Sequence, residues 1–388
     1  MVQRDRTNWV MVLLIWVAGL GAAAQYGKIS VTFDLLPTLY PDAGAAISWA
    51  VSVVGFVGIL LGVVAGLFVS AIGYRRTLVW ALSLGAVMSA LQGLDLPFGL
   101  FLLTRMIEGA SHLGVVVAAP TLMVLITTPG SRGLALTLWS TFFGVAFALL
   151  NWIGLPFVHA HGVQALFGVH AAIMAALAVI LHLALRGLPV PARVPFPQLN
   201  TLLPLHLGIY RSPFKLAPAA GWLFYTCCFV SILTVLPPFL SEENRAMIMG
   251  AIPLVAIAVS MTLGVSLLRR MPAVRLAQLG FTACALSMLW LWVMPGFWLA
   301  CLALGASFGL VQSGSFSSVP QLNHDAAAQS EANGAMAQAG NLGNAIGTPL
   351  LVGMITLAGY SGLVLTLALL FLGGALAHQG FALRRRWA

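Results

Sequence analysis

The chain has 388 residues, of which 60% are hydrophobic and only 7% are charged. A soluble domain carries about 25% charged residues, so this composition excludes a water-soluble enzyme and indicates a protein that lies in a membrane. The formal net charge is +9, but in a membrane protein the positions of the charges say more than their sum, and no nucleic-acid partner is expected. At about 20 residues per spanning helix, a chain of this length has room for about twelve spans.

Apolar blocks follow one another along the chain, separated by glycine, proline or charged residues. They do not alternate with the period of two that a β-barrel needs, so they indicate helices. The twelve blocks are residues 9–39, 46–69, 77–94, 97–126, 133–157, 163–186, 215–240, 246–268, 273–294, 296–319, 331–357 and 360–383. We therefore predict an all-α polytopic membrane protein with twelve transmembrane helices.

One long interruption divides the blocks into two sets of six. Its prolines are Pro189, Pro191, Pro195, Pro197, Pro204 and Pro213. The pattern predicts an N-terminal half of residues 1–187, a cytoplasmic Pro-rich linker of residues 188–214, and a C-terminal half of residues 215–388. Halves of similar length indicate pseudo-symmetric repeats with a binding site near the middle of the bilayer.

Arginine and lysine residues fall in alternate loops. If the N-terminus is cytoplasmic, the outer loops hold only Arg245 and otherwise carry acids: Asp42, Asp95, Glu242 and Glu243. By the positive-inside rule, we expect both termini in the cytoplasm and a multi-pass protein of the cell inner (plasma) membrane. The four cysteines lie within apolar blocks without metal-ligand spacing, so neither a metal nor another cofactor is expected.

A glycine and arginine motif follows the second block. Gly66, Gly73, Arg75 and Arg76 match G-x-x-x-D-R-x-G-x-R-R, whereas Ser70 and the following alanine stand where that motif has an acid and a base. The motif resembles the signature loop of the major facilitator superfamily (MFS) of secondary transporters. The resemblance implies a monomeric carrier with a gating loop at these five residues, in which another contact replaces the missing charges.

Two further patterns extend the resemblance to the superfamily. Arg105 and Gly109 are similar to the R-x-x-x-G pattern of its fourth helix, and Gly340, Gly347 and Pro349 resemble the small-residue ending of its eleventh helix. The fifth block lacks the motif associated with antiporters in this superfamily. That absence lowers the weight of a drug-antiporter interpretation.

A stripe of glycines runs along the second block. Gly58, Gly62 and Gly66 form a tandem G-x-x-x-G pattern, which lets a neighbouring helix approach closely. In a moving carrier the stripe would be a sliding contact, and static packing is the equally compatible alternative.

Polar and ionisable groups inside the blocks are costly in hydrocarbon, and they are therefore the candidate functional residues. In the first block, Lys28 lies close to Gln25 and Tyr26, a cation and two hydrogen-bonding groups suited to the anionic end of a substrate. Alternatively, Lys28 snorkels outward to the membrane interface. Asp34 lies nearer the outer end of this block. We expect it to be an interfacial residue, a partner of Lys28 or a proton-coupling group.

In the fourth block, Arg105 and Glu108 are three residues apart and share one face of the helix. As a functional pair, Arg105 would contact substrate while Glu108 exchanges a proton. As a structural pair, Arg105 would bind carbonyl groups of the first helix and Glu108 would neutralise it. His112, one turn further, would extend Glu108 into a proton relay, although a lone membrane histidine is more often a hydrogen-bonded core residue. His170 ranks lower.

The C-terminal half contributes amides rather than charges. Gln312 lies in the tenth block, and Gln338, Asn341 and Asn344 lie in the eleventh. They predict a polar, uncharged wall of the binding site opposite the charged residues of the first half. The alternative is that they join helices to one another in lipid.

No nucleotide-binding or hydrolase motif occurs in the chain, so neither an enzyme nor direct ATP drive is expected. The resemblance and the charged residues favour a secondary active transporter of a small polar, anionic solute, linked to protons or another coupling ion. The first alternative is a drug or metabolite efflux carrier, favoured by the Met-rich and aromatic interior. The second is a non-transporting membrane sensor or assembly factor with a carrier fold, for which the altered signature loop is the only indication.

Overall fold

The computed structural model describes residues 6–187, 195, 196 and 198–385, and within them it contains helices and no strands. The helices of the first part of the chain are Trp9–Val31, Leu36–Leu39, Trp49–Ser52, Gly55–Leu61, Ala65–Ile72, Tyr74–Gln92, Phe98–Ile126, Arg132–Ser140, Phe142–Leu149, Leu155–His161 and Val163–Ala184. Those of the second part are Leu199–Arg211, Leu216–Val235, Glu242–Val259, Val265–Leu268, Ala273–Val293, Trp298–Leu322 and Ala326–Arg384. Short 3-10 or π-helical turns, such as Pro41–Ser48 and Ser260–Gly264, join some of them.

The predicted fold class is confirmed, because the described helices follow the predicted apolar blocks. Nine are long and apolar enough to cross a membrane, or ten if the bent pair Pro41–Ser52 and Gly55–Leu61 forms one span. Tyr74–Gln92 is a further 19-residue helix in the third block. Non-helical backbone at Ala358 and Gly359 divides the last long helix between the eleventh and twelfth blocks. The arrangement is consistent with twelve spans.

Polar side chains and glycines set several helix ends. The side chain of Asn8 accepts a hydrogen bond of 3.1 Å from the backbone of Met11 at the start of the first helix, and Asp325 does the same for the last helix. Such caps satisfy amide groups that a helix start leaves without partners. Gly73 and Gly162 have positive φ angles of 100° and 87°, which glycine adopts without steric cost, and new helices begin directly after them.

The chain forms two compact units. The first comprises Met1–Thr32 and Val64–Gln198, and the second comprises Phe33–Val63 and Leu199–Ala388. The predicted boundaries of the two halves and the linker stay a prediction. Residues 188–194 and 197 of that linker, like the terminal arginines Arg4 and Arg386, lie outside the described residues. Within the rest of the predicted linker, Leu199–Arg211 is a helix.

The first unit packs around an apolar core. In the first helix, the residues of this core come earlier along the chain than the buried polar residues. Side chains such as Val12, Ile15, Leu82, Leu122 and Leu181 are fully or almost fully buried there. Because they come from four different helices, they fix those helices against one another. The polar side chains carried further along the same helices are thereby held in defined positions.

In the second unit, two glycines of the eleventh block, Gly343 and Gly347, provide a close helix contact. A Cβ added to Gly343 would lie 2.5 Å from the carbonyl oxygen of Leu223 and 2.7 Å from the backbone nitrogen of Cys227, both in the helix Leu216–Val235. A Cβ added to Gly347 would also meet the backbone of Cys227. These glycines therefore let two helix backbones touch, as small residues do in membrane proteins.

The glycine stripe of the second block packs on the same long helix, and this contact lies within the second unit. Gly58 faces the side chain of Asn341, and a Cβ added to Gly62 would lie 2.8 Å from the Cα of Gln338. Nothing lies within 4 Å of the corresponding position at Gly66. Two of the three predicted stripe glycines thus make a close helix contact.

Candidate functional site

A buried ion cluster lies in the first unit. The ammonium group of Lys28 is 2.7 Å from Oε1 of Glu108, and the guanidinium group of Arg105 binds Oε2 of the same carboxylate. All three side chains have no exposed surface. Lys28 therefore points into the bundle of its own unit. The cluster unites the strongest ionisable candidates of the sequence around one carboxylate.

Two neutral side chains of the helix Tyr74–Gln92 complete the surroundings of that carboxylate. Gln92 donates a hydrogen bond of 2.9 Å to Oε2 of Glu108, and the hydroxyl oxygen of Ser89 lies 3.1 Å from Oε1. Ser89 also accepts a hydrogen bond of 2.5 Å from Lys28. The carboxylate is thus contacted by side chains of three helices. Sequence reasoning did not single out Ser89 or Gln92.

Arg105 also joins the fourth block to the first. Its second terminal nitrogen donates a hydrogen bond of 2.6 Å to the carbonyl oxygen of Gln25, whose side chain donates one of 2.7 Å to the hydroxyl of Ser111. The structure therefore contains both contacts of the structural interpretation, the bond to a carbonyl of the first helix and the pairing with Glu108. The functional interpretation stays a prediction. The side-chain oxygen of Gln25 has no hydrogen-bond partner among the described residues.

The charges of this cluster do not balance. Two cations, Lys28 and Arg105, share one carboxylate, Glu108, when all three groups are ionised. Burying a charge without a partner costs several kcal/mol, on the order of the desolvation penalty of one ion. An excess positive charge in a buried site is therefore a strong electrostatic attraction for an anion.

His170 belongs to the cluster, although its sequence position ranked it low. Its Nδ1 lies 2.6 Å from the hydroxyl of Ser89 and 3.4 Å from the ammonium group of Lys28, and its Nε2 lies 2.9 Å from the carbonyl oxygen of Gly21. Its partners are 81, 142 and 149 residues away along the chain. No local sequence pattern links His170 to these partners, so helix periodicity alone could not predict that it belongs to the cluster.

Tyr26 and His112 form a neighbouring layer of the site. Their rings meet edge to face with centroids 5.1 Å apart, and both side chains are buried. Nδ1 of His112 is 3.0 Å from the carbonyl oxygen of Ala22. The hydrogen bond of this imidazole is thus made to the first helix, and the predicted relay from Glu108 to His112 stays a prediction.

Asp34 is not part of this cluster. It lies on the short 3-10 helix Phe33–Leu35, which belongs to the second unit, and its side chain is exposed. Asp34 lies three residues beyond the end of the helix Trp9–Val31. The ion pair of Lys28 is made with Glu108.

The amides of the second unit are largely engaged in helix contacts. Gln312 donates a hydrogen bond of 2.6 Å to the hydroxyl of Tyr225, and Gln338 donates to the carbonyl oxygen of Ile59 while accepting from Tyr210. Asn341 donates to Ala337, one turn earlier in its own helix. The bonds of Gln312 and Gln338 reach other helices, as the alternative interpretation, joining of helices, expects, whereas that of Asn341 stays within its own helix.

Asn344 differs from the other amides. Its side-chain oxygen is buried without a hydrogen-bond partner among the described residues, as is the hydroxyl of Ser315. Buried polar atoms normally have partners. Among the four predicted amides, Asn344 is therefore the one with a buried side-chain oxygen that has no hydrogen-bond partner among the described residues.

The predicted gating loop is a tight turn between two helices. Gly73 ends the helix Ala65–Ile72 and precedes Tyr74–Gln92, and Ser70 donates a hydrogen bond of 2.9 Å back to Leu67 within its own helix. Arg75 donates one of 3.1 Å to the carbonyl oxygen of Leu185, just beyond the end of Val163–Ala184. A cation is favourable at such a carbonyl end. Arg76 is exposed, and Gly66 has open space around it.

The described helices, nine or ten of them long and apolar enough to cross a membrane, are those of a polytopic membrane protein. The family model of the Major Facilitator Superfamily matches residues 11–348. The chain belongs to this superfamily, as the signature loop indicated. No curated protein matches the sequence.

Solved structures similar to the chain have the same fold over nearly their whole length. A bacterial homologue of the human lysosomal transporter Spinster, in an inward-facing and occupied conformation, has a TM-score of 0.72 at 15% identity, covering 99% of this chain and 98% of the other. The inward-facing, unoccupied structure has a TM-score of 0.70 at 15% identity and covers 96% and 97%. At this identity the likeness shows the fold.

Proposed function

We propose that the protein is a secondary active transporter that moves a small anionic solute, together with protons, across the cell inner membrane by alternating access. The superfamily and the fold support the transporter. The observation that carries the solute class is the buried cluster in which two cations, Lys28 and Arg105, share the carboxylate of Glu108. Gln25 and Tyr26 are the proposed neutral contacts of the solute.

In this proposal, Glu108 acts as an internal anion that the solute replaces. A carboxylate or similar group of the solute forms charge-assisted hydrogen bonds with Lys28 and Arg105. Two carboxylates at the same cations repel one another, so solute binding favours the protonated form of Glu108. Proton uptake and anion binding then strengthen each other. That mutual dependence is the thermodynamic basis of coupled transport.

Thermal stabilisation of the purified protein tests the solute class. We expect a panel of small organic anions to contain ligands that raise the unfolding free energy by about 2.7 kcal/mol at a concentration of 100 times Kd. Lys28→Ala removes this stabilisation, because it removes one of the two cations. Lys215→Ala is the matched control: Lys215 pairs with Glu331 in the second unit, and both side chains are about 30% exposed.

Other outcomes of the panel separate the alternatives. Stabilisation by lipophilic cations that persists in Lys28→Ala would favour the drug or metabolite efflux carrier. Absence of solute flux in reconstituted vesicles, with either panel, would favour the non-transporting sensor or assembly factor. An anion that stabilises Lys28→Ala as strongly as the unaltered protein would contradict the proposed site.

The proposed orientation has both termini in the cytoplasm. Arg76 and Asp95 are exposed near opposite ends of the helix Tyr74–Gln92, and the native cysteines are buried. We expect Arg76→Cys to react with an impermeant thiol reagent only from the cytoplasmic side, and Asp95→Cys only from the outside. Reaction of both from the same side of intact cells would contradict the orientation.

A further inference from the structure

We infer that His170 is the residue that exchanges the coupling proton with Glu108, through the hydroxyl group of Ser89. This inference rests on the proposed function, and it names a proton-transfer residue of the same site. His170, Ser89 and Glu108 come from three helices and form one chain of contacts, with distances of 2.6 Å and 3.1 Å. His170 and Glu108 are both buried and are the two ends of this chain.

The contacts of His170 fix which of its nitrogens carries the proton. Nε2 lies 2.9 Å from the carbonyl oxygen of Gly21, which only accepts hydrogen bonds, so Nε2 carries a hydrogen. In the neutral ring Nδ1 is then the acceptor. It faces the hydroxyl of Ser89 and, more distantly, the ammonium group of Lys28. The lone pair of Nδ1 is therefore directed into the charged cluster.

Ser89 has a single proton that two acceptors compete for. Its oxygen accepts from Lys28 at 2.5 Å, and its hydrogen is then available either to Nδ1 of His170 at 2.6 Å or to Oε1 of Glu108 at 3.1 Å. The shorter distance favours donation to the neutral imidazole. Protonation of Nδ1 reverses this hydrogen bond, because an imidazolium nitrogen can only donate.

The proton step follows from that reversal. The Nδ1–H bond of the imidazolium breaks and its proton passes to the oxygen of Ser89, while the original hydroxyl proton of Ser89 passes to Oε1 of Glu108. The products are neutral His170, an unchanged Ser89 hydroxyl and the carboxylic acid of Glu108. Atoms and charge balance, and no other reactant is needed.

The charges around His170 link this step to anion binding. Lys28 from the first helix and Arg105 from the fourth block disfavour an imidazolium, and Glu108 favours it; Ser89 and Gln92 on the third block are neutral. A solute anion bound to Lys28 and Arg105 offsets their field. Proton uptake at His170 is then favoured when solute is present, which is the direction that coupled transport requires.

A pH-jump infrared measurement on the purified full-length protein tests the relay, with formate present as the anion that offsets the field of Lys28 and Arg105. After a jump from pH 8 to pH 5, we follow the carboxylic acid band that is absent in Glu108→Gln. We expect His170→Gln and Ser89→Ala to slow the appearance of this band at least tenfold, whereas Ser89→Thr, which keeps a hydroxyl, restores the rate. His182→Gln is the matched control, because His182 is exposed on the same helix as His170.

The rate at which the Glu108 band appears distinguishes a proton-relay role of His170 from a structural one. Glutamine can keep the bond to the Gly21 carbonyl, and thermal melting shows whether each variant folds. An unchanged rate in folded His170→Gln would overturn the inference, as would a Glu108 band that never appears in the unaltered protein. Failure of every organic anion of the panel to stabilise the protein, with the Glu108 band still appearing in formate and slowed in His170→Gln, would overturn the proposed solute class alone.

Discussion

Replacement of Glu108 by alanine lowers the free energy of unfolding by about 3–5 kcal/mol, the range for removing one partner of a buried ion pair. The effect is large because Lys28 and Arg105 both depend on this carboxylate and have no exposed surface. The variant leaves two neighbouring cations without an anion, and they also repel each other. Chemical denaturation in mild detergent measures the loss.

A matched variant and a chemical rescue make this prediction specific. Glu331→Ala removes a carboxylate that pairs with Lys215, but that pair is partly exposed, so we expect a loss of only about 0–1 kcal/mol. We expect formate, which supplies the carboxylate that Glu108→Ala lacks, to raise the stability of Glu108→Ala but not that of Glu331→Ala. Equal stability of the two variants would contradict the assigned cluster.

A second substitution tests whether Glu108→Ala loses stability because Lys28 and Arg105 no longer have a carboxylate beside them. Lys28→Met in the Glu108→Ala background removes one of them and fills its space with an apolar side chain. We expect the double variant to be less destabilised than the sum of the two single losses, with a coupling energy of about 0.5–3 kcal/mol. Additive losses would mean that Lys28 and Glu108 do not interact.

The spans could be predicted from the sequence because the bilayer imposes them locally. An apolar block long enough to cross hydrocarbon must be helical, and helices such as Phe98–Ile126 and Val163–Ala184 lie where the blocks predicted them. The helix Leu199–Arg211 within the predicted linker was not anticipated. The prolines of the linker indicated a loop, yet one of them, Pro204, lies inside this helix.

The site could be predicted only where its contacts are local. Arg105 and Glu108 pair across one turn, which helix periodicity shows directly. Lys28 meets Glu108 from 80 residues away, and His170 meets Ser89 from 81. These meetings depend on how helices pack, and a single sequence does not contain that information in any short pattern.

For the amides of the C-terminal half, the sequence shows the polar residues but not what they bind. Gln338 and Asn341 have the residue type and spacing of a polar binding wall, but the first bonds to Ile59 and Tyr210 and the second to its own helix. A side-chain amide serves helix packing and solute binding with the same donors and acceptors. The residue types therefore show which positions are polar, but they do not show which groups these side chains bind.

The second large effect is expected at Gly343, where two helix backbones touch. A leucine there places four carbon atoms where the backbone of Leu223 and Cys227 already lies, so the helices Leu216–Val235 and Ala326–Arg384 must move apart. Overpacking costs about 1–3 kcal/mol, and more when backbone rather than a side chain must move. We expect Gly343→Ala to lose about 1–3 kcal/mol and Gly343→Leu to prevent stable folding in detergent.

Gly353 provides the control for Gly343, because it lies on the same helix with nothing within 4 Å of its Cβ position. Gly353→Ala should gain about 0.5–1 kcal/mol from helix propensity, since alanine orders more readily than glycine and meets no neighbour. Opposite signs for the same chemical change at two positions would locate the effect in the helix contact. If both alanines stabilise the protein, the backbones at Gly343 have room to separate, and the glycines are not needed for close packing.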